Sequence, residues 1–239
     1  MVLAKGARVA LAAGVCAIIG LAAPALADTM VVRASGPSAR AYPPGSKLAD
    51  GGSLSLKAGD VVTLLDARGT RTLRGPGSFK AASSATAAPT SSVTLSALLD
   101  TKRVRRARTG AVRGNVSDTQ ATPKRPNLWL VDVAQPGTLC FADPAAVRLW
   151  RADAARATSV KISGGAKQAV ANFAAGEPIA AWPAALPVTD GASYRIEGTD
   201  IRFAAVGPVE QGLEKVAGSL IAKGCEAQLN LLVDATARK

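Results

Sequence analysis

Between residues 128 and 206 the chain repeats one unit, a short apolar run followed by a turn, at a spacing of about ten residues. The runs are 128–133, 138–142, 146–151, 159–162, 168–173, 179–182, 194–197 and 201–206. Between them stand Gln135-Pro136-Gly137, Gly164-Gly165, Ala175-Gly176-Glu177, Thr189-Asp190-Gly191 and Gly198-Thr199-Asp200. Gly, Pro, Asn and Asp punctuate a chain because they reach or fix backbone angles that strands avoid. Runs this short cannot carry the apolar stripe of a helix, whereas seven or eight of them side by side form a sandwich or barrel. Seven of the nine aromatic residues fall here (Trp129, Phe141, Trp150, Phe173, Trp182, Tyr194 and Phe203), so the larger core is expected here too. The expectation is an immunoglobulin-like β-sandwich.

The sandwich is expected to end in helices. Pro208 suits the first position of a helix, because its missing N–H would have no partner there. Val209, Leu213, Val216 and Leu220 follow at helical spacing, and Gly224 suits the C-terminal cap. A second helix, about 225–234, places Cys225, Leu229, Leu232 and Val233 on one face.

The first half has the same strand rhythm on a smaller scale. Met30-Val31-Val32-Arg33-Ala34 is β-prone, Ser53-Leu54-Ser55-Leu56-Lys57 alternates, 61–65 is a compact apolar strand, and Thr70-Arg71-Thr72-Leu73-Arg74 returns after the turn Asp66-Ala67-Arg68-Gly69. Gly75-Pro76-Gly77 is expected to stop it. Tyr42 and Phe79 are the only aromatics of this half, and a core so small is marginal alone.

The pattern Gly45-x-x-Leu48, Gly51-Gly52, Leu56-x-x-Gly59-Asp60 with Val61 to Leu64, then Leu73-x-Gly75-Pro76-Gly77-x-Phe79, resembles the β-repeat domain of the FecR family. That domain is the periplasmic part of iron-dicitrate-type sigma regulators. The motif lies within 45–79 of a module read as 28–80, and the resemblance implies a small β fold and an envelope setting. The layout as a whole resembles exported proteins of proteobacteria.

Between the two β patterns, 81–92 is rich in Ala, Ser and Thr, and 93–99 could begin a helix capped by Ser91 or Ser92. Residues 101–125 then hold eight bases (Lys102, Arg103, Arg105, Arg106, Arg108, Arg113, Lys124 and Arg125), one acid, Asp118, and no aromatic. We read 81–126 as a linker, so the expected organisation is 1–27 signal peptide, 28–80 FecR-like module, 81–126 linker and 127–239 sandwich with its helical pair.

The signal peptide is read from Lys5 and Arg8, the apolar run 9–23 and the Ala25-Leu26-Ala27 cleavage site. Cleavage after Ala27 leaves Cys140 and Cys225 as the only cysteines, and in an oxidising compartment two cysteines most simply pair. No later apolar run approaches membrane-spanning length. The leader carries two of the 29 bases and none of the 17 acids, so the mature charge is 27 minus 17, or +10. Export disfavours nucleic acid as the counterpart of that charge. It points to an envelope protein or an anionic envelope polymer, with Arg103, Arg105, Arg106, Arg108 and Arg113 as the contact residues. The oligomeric state is left open.

The chain has no histidine, which removes the commonest general base and metal ligand. Asp60 with Asp66, the group Asp190, Glu197 and Asp200, and Ser219 with Lys223 are the remaining candidates for acid–base chemistry or oxygen ligation. Turn acids and exposed i, i+4 pairs more often serve turns and helix faces. Trp129, Trp150 and Trp182 could form a carbohydrate platform, although tryptophan on strands more often packs in a core. We therefore nominate no catalytic residues, no metal site and no cofactor. The expected function is that of a non-catalytic periplasmic accessory or sensory protein. The alternative is a binder of anionic glycan or lipopolysaccharide, and the weakest reading is a His-free hydrolase.

Overall fold

The computed structural model describes residues 29–49, 51–82, 98–99, 125–207 and 212–237. Among them are fourteen strands in four sheets and two C-terminal helices, a mostly β fold.

The first half forms β1 (Thr29–Ser35), β2 (Lys47–Leu48), β3 (Ser53–Leu56), β4 (Val61–Asp66), β5 (Gly69–Arg74) and β6 (Gly77–Lys80). Four of them make an antiparallel sheet in the order β2-β1-β4-β5, and β3 pairs with β6. β4 reads as an unbroken apolar run because both its faces are buried. Val62 and Leu64 meet Val31, Leu54, Leu56 and Ala81, while Leu65 turns the other way, toward Met30 and Val32. β3 alternates exposed serine and buried leucine, as its sequence requires. Two strands escape the periodicity argument. β2 is two residues long, and β6 begins at Gly77, the last residue of Gly75-Pro76-Gly77, which turns the chain back onto β3 and does not end the sheet structure.

The second half forms β7 (Leu130–Asp132), β8 (Gly137–Phe141), β9 (Arg148–Trp150), β10 (Thr158–Gly164), β11 (Lys167–Phe173), β12 (Ile179–Ala181), β13 (Ser193–Ile196) and β14 (Thr199–Ala205). A five-stranded sheet, β11-β10-β13-β14-β8, faces a three-stranded one, β12-β9-β7. Both contribute to one core: Leu139, Ile162, Phe173 and Ile196 from the first, Val131, Leu149 and Ala180 from the second. Phe203 sits among Phe141, Trp182 and Tyr194, with edge-on ring centroids 5.1 to 5.9 Å away. The pairs β14–β8 and β7–β9 are parallel.

Helices α1 (Gly212–Lys223) and α2 (Glu226–Ala235) close the chain. Pro208 and Val209, the expected helix start, lie outside the described residues. α1 buries Leu213, Val216, Ala217 and Leu220, and α2 buries Gln228, Leu229, Leu232 and Val233. These side chains pack on Met30, Val32 and Leu65 of the first sheet and on Leu128, Trp129, Cys140 and Ala204 of the sandwich side. The helix pair, which the sequence suggests as an appendage of the sandwich, therefore shares one core with both β modules. The two ends of the expected linker are also built in: Ala81 is buried and donates its N–H to Gly52 O, and Arg125 is buried. No helix among the described residues is long and apolar enough to cross a membrane.

Candidate functional site

Cys140 and Cys225 form a disulfide, with Cα atoms 5.8 Å apart. The local sequence explains the position of Cys225. Gly224 takes φ +71°, its N–H bonds to Ile221 O, and the N–H of Cys225 reaches back to Leu220 O. This is the paired hydrogen bonding of a glycine-terminated helix. It sets Cys225 at the entry of α2 and against β8. One turn further, Gln228 accepts from Cys140 N at 2.6 Å and donates to Cys140 O at 2.7 Å and Leu128 O at 2.9 Å.

The candidate acids are committed to local structure. Asp60 and Asp66 stand at opposite ends of β4, roughly 20 Å apart at strand rise, too far to act as a pair. Asp60 is buried and accepts from Ser38 N at 2.8 Å and Lys57 N at 2.6 Å. Burial acts to raise its pKa, but the hydrogen bonds from Ser38 and Lys57 outweigh it and hold the carboxyl below its ordinary value. Gly36 sits against it at φ +100°, where a Cβ would lie 2.6 Å from Asp60 Oδ1. Asp66 accepts from Arg68 N at 2.8 Å, an Asx turn. Asp190 accepts from Ala205 N, Glu197 accepts from Lys161 N, and Asp200 pairs in bidentate fashion with Arg195, whose hydrogen bonds lower its pKa. Ser219 and Lys223 are exposed on α1. Among the described residues no group of acids or cysteines is arranged to hold a metal ion.

The tryptophans do not form a platform. Trp129 and Trp150 are buried, Trp129 donating to Leu99 O at 2.9 Å, and half-buried Trp182 donates to Leu186 O while its ring packs on Tyr194. Arg103, Arg105, Arg106, Arg108 and Arg113 lie outside the described residues. Arg125, counted in the same basic stretch, is 7% exposed and donates to Leu130 O at 3.1 Å and Ala227 O at 3.3 Å. Burial lowers its pKa and Asp132 opposes the shift. Arg151 is a second buried arginine. It ties Thr158 Oγ1, Ala174 O and Glu177 O together and lies 4.8 Å over the Phe173 ring. Both are structural ties, reached through arginine's fan of donors.

A concavity with mixed chemistry lies between the first sheet and the helix pair. At one end α2 is fastened to β5: Thr70 N donates to Thr236 O and Thr70 Oγ1 to Val233 O, each at 2.9 Å. Toward the other end of β5 the helices stand off the sheet and leave a cleft of about 700 Å³. Val61, Leu220 and Leu229 supply apolar walls, and Thr63 and Thr72, with hydroxyls 3.1 Å apart, mark the floor. Two arginines flank it. Arg33 donates through Nε to Asn230 Oδ1 at 2.9 Å, and its Nη1 lies 3.8 Å from Asp234. Arg74 is exposed, with no hydrogen-bond or ion-pair partner among the described residues. An apolar cleft with an exposed guanidinium at its mouth suits a partner carrying both apolar and anionic groups. Sequence reasoning missed this site because Arg33 and Arg74 belong to different strands, and only the pairing of β1, β4 and β5 brings them to one face. No protein-family model matches the chain, and no curated protein and no solved structure matches it.

Proposed function

We propose that the protein is exported to the periplasm after cleavage behind Ala27 and acts there as a non-catalytic accessory or sensory protein, by holding a partner protein in the cleft between its first sheet and its helix pair. The observation that carries this reading is the cleft itself: apolar walls, hydroxyls on the floor and the exposed guanidinium of Arg74 at the rim. The FecR-like pattern over 45–79 supports an envelope setting for the module that forms one wall. A photo-crosslinking amino acid at exposed Ser35, which lines the cleft, tests the reading in living cells. The control is the same group at exposed Asn172 on β11. A discrete protein adduct from Ser35 and none from Asn172 is expected. Adducts from neither position, or the same adducts from both, would overturn it.

A second reading, binding of anionic glycan or lipopolysaccharide, rests on the base-rich stretch 101–124. Residues 101–125 hold eight bases, and with Arg125 buried the seven in 101–124 remain as candidates for contact.

A further inference from the structure

The outer edge of β5 runs beside the cleft. In the β4–β5 hairpin Asp66 pairs with Gly69 across a two-residue loop. Gly69, Arg71 and Leu73 then turn their backbone groups toward β4, and Thr70, Thr72 and Arg74 turn theirs outward. The outward N–H of Thr70 is in use. It bonds to Thr236 O, and Ala237 pairs with Thr70 as an isolated parallel bridge. This edge therefore already accepts an extended segment at its first position. At Thr72 and Arg74 the outward N–H and C=O groups have no backbone partner among the described residues.

The side chains beside that edge define what would fit. Thr72 and Arg74 face the cleft and the helices, while Leu73 faces the other side and packs partly on the first core. A strand laid along the edge would place alternate side chains beside Arg74 and beside Leu73. Opposite charge beside Arg74 and apolar bulk beside Leu73 are the favourable pairs. A second copy of β5 fits less well, because its sequence Gly-Thr-Arg-Thr-Leu-Arg carries two bases and no acid to set beside Arg74.

We propose that the β5 edge binds an extended peptide segment of a partner protein in which acidic residues alternate with apolar ones, adding it as a fifth strand to the four-stranded sheet. The proposal rests on the reading of the cleft as a partner site and names the mode of binding. Backbone hydrogen bonds to Thr72 and Arg74 supply the attachment, and the alternation of side chains supplies the selection.

The test uses the mature full chain and a short synthetic peptide of alternating valine and glutamate. The comparison peptide has lysine in place of glutamate. Binding is followed by fluorescence anisotropy, and exchange of the Thr72 and Arg74 amides by NMR. Two variants accompany it. Thr72→Pro removes one outward donor and the hydroxyl contact with Thr63 but leaves the backbone bonds to β4 in place, a substitution that edge strands tolerate. Arg74→Glu reverses an exposed charge and leaves the fold untouched. The valine–glutamate peptide is expected to bind and to protect both amides, the lysine peptide is not, and each variant weakens binding about tenfold or more. No binding of the valine–glutamate peptide overturns the proposal, as does binding that leaves both amides unprotected or survives Thr72→Pro. If that negative result accompanies a Ser35 cross-link, only the strand mode falls. If the cross-link is missing as well, the partner-site reading falls with it.

Discussion

Gln228 does on the outer edge of β8 what a neighbouring strand would otherwise do. β8 is the last strand of the five-stranded sheet, and the backbone of Cys140 points away from β14. Its N–H and C=O would be buried without partners, at about 1–3 kcal/mol per group. The Gln228 side chain, 1% exposed, satisfies both and takes Leu128 O as well. Gln228→Leu keeps the volume and removes all three bonds, so we expect a loss of about 3 kcal/mol or more, read from the urea midpoint at unchanged m-value. Gln228→Glu should fare no better, because a carboxylate accepts from Cys140 N but cannot donate to the two carbonyls. A neutral Gln228→Leu variant would show that water replaces the amide. The sequence does not reveal this role. A glutamine at a core-facing helical position looks like an interruption of the stripe, and its partner is 88 residues away. Arg125 is hidden for a related reason: a base at the end of a base-rich stretch reads as solvated, and only the fold shows the carbonyls that receive it.

At the scale of elements, the pattern of apolar runs located every strand of the sandwich to within about two residues, because burial on one face imposes period two on the sequence. β6 is not legible in the sequence because a Gly-Pro-Gly turn reads as the end of a strand, not as a return onto β3. The pairing of β14 with β8 in parallel was not legible either, since nothing in two short apolar runs fixes their relative direction. The disulfide was legible from the expectation of export and from the two cysteines that the expected cleavage leaves. It joins α2 to β8 across 85 residues, and the Gly224 turn has already aimed Cys225 at its partner. Chain-entropy reasoning gives about 4 to 5 kcal/mol for a loop of that length. Unfolding in urea with and without reductant should show a midpoint shift of that order, with the double variant Cys140→Ala and Cys225→Ala behaving like the reduced protein. Equal midpoints with and without reductant would mean that the helix pair and Gln228 hold β8 unaided.

The whole molecule is organised around the helix pair, which presents one apolar surface to both β modules. Local patterns cannot show this, since a helical stripe states how much surface is buried and not against what. Charge is the other property that belongs to the molecule as a whole: +12 over the full sequence, with bases concentrated in 101–124. The second functional reading depends on that concentration. Partner binding through it would be electrostatic and would weaken with salt, because exposed charges more than about 10 Å apart are screened at 0.1 M. Replacing Arg103, Arg105, Arg106 and Arg108 by Gln removes four positive charges at constant chain length. The buried cores of the described residues are built from other side chains, so the thermal midpoint of the variant should match that of the parent. At low salt the parent should bind anionic liposomes or lipopolysaccharide, the variant much less, and the difference should close as salt rises. If parent and variant bind alike, or neither binds, the basic stretch is not a contact surface, and the cleft beside β5 is left as the molecule's one proposed site of contact.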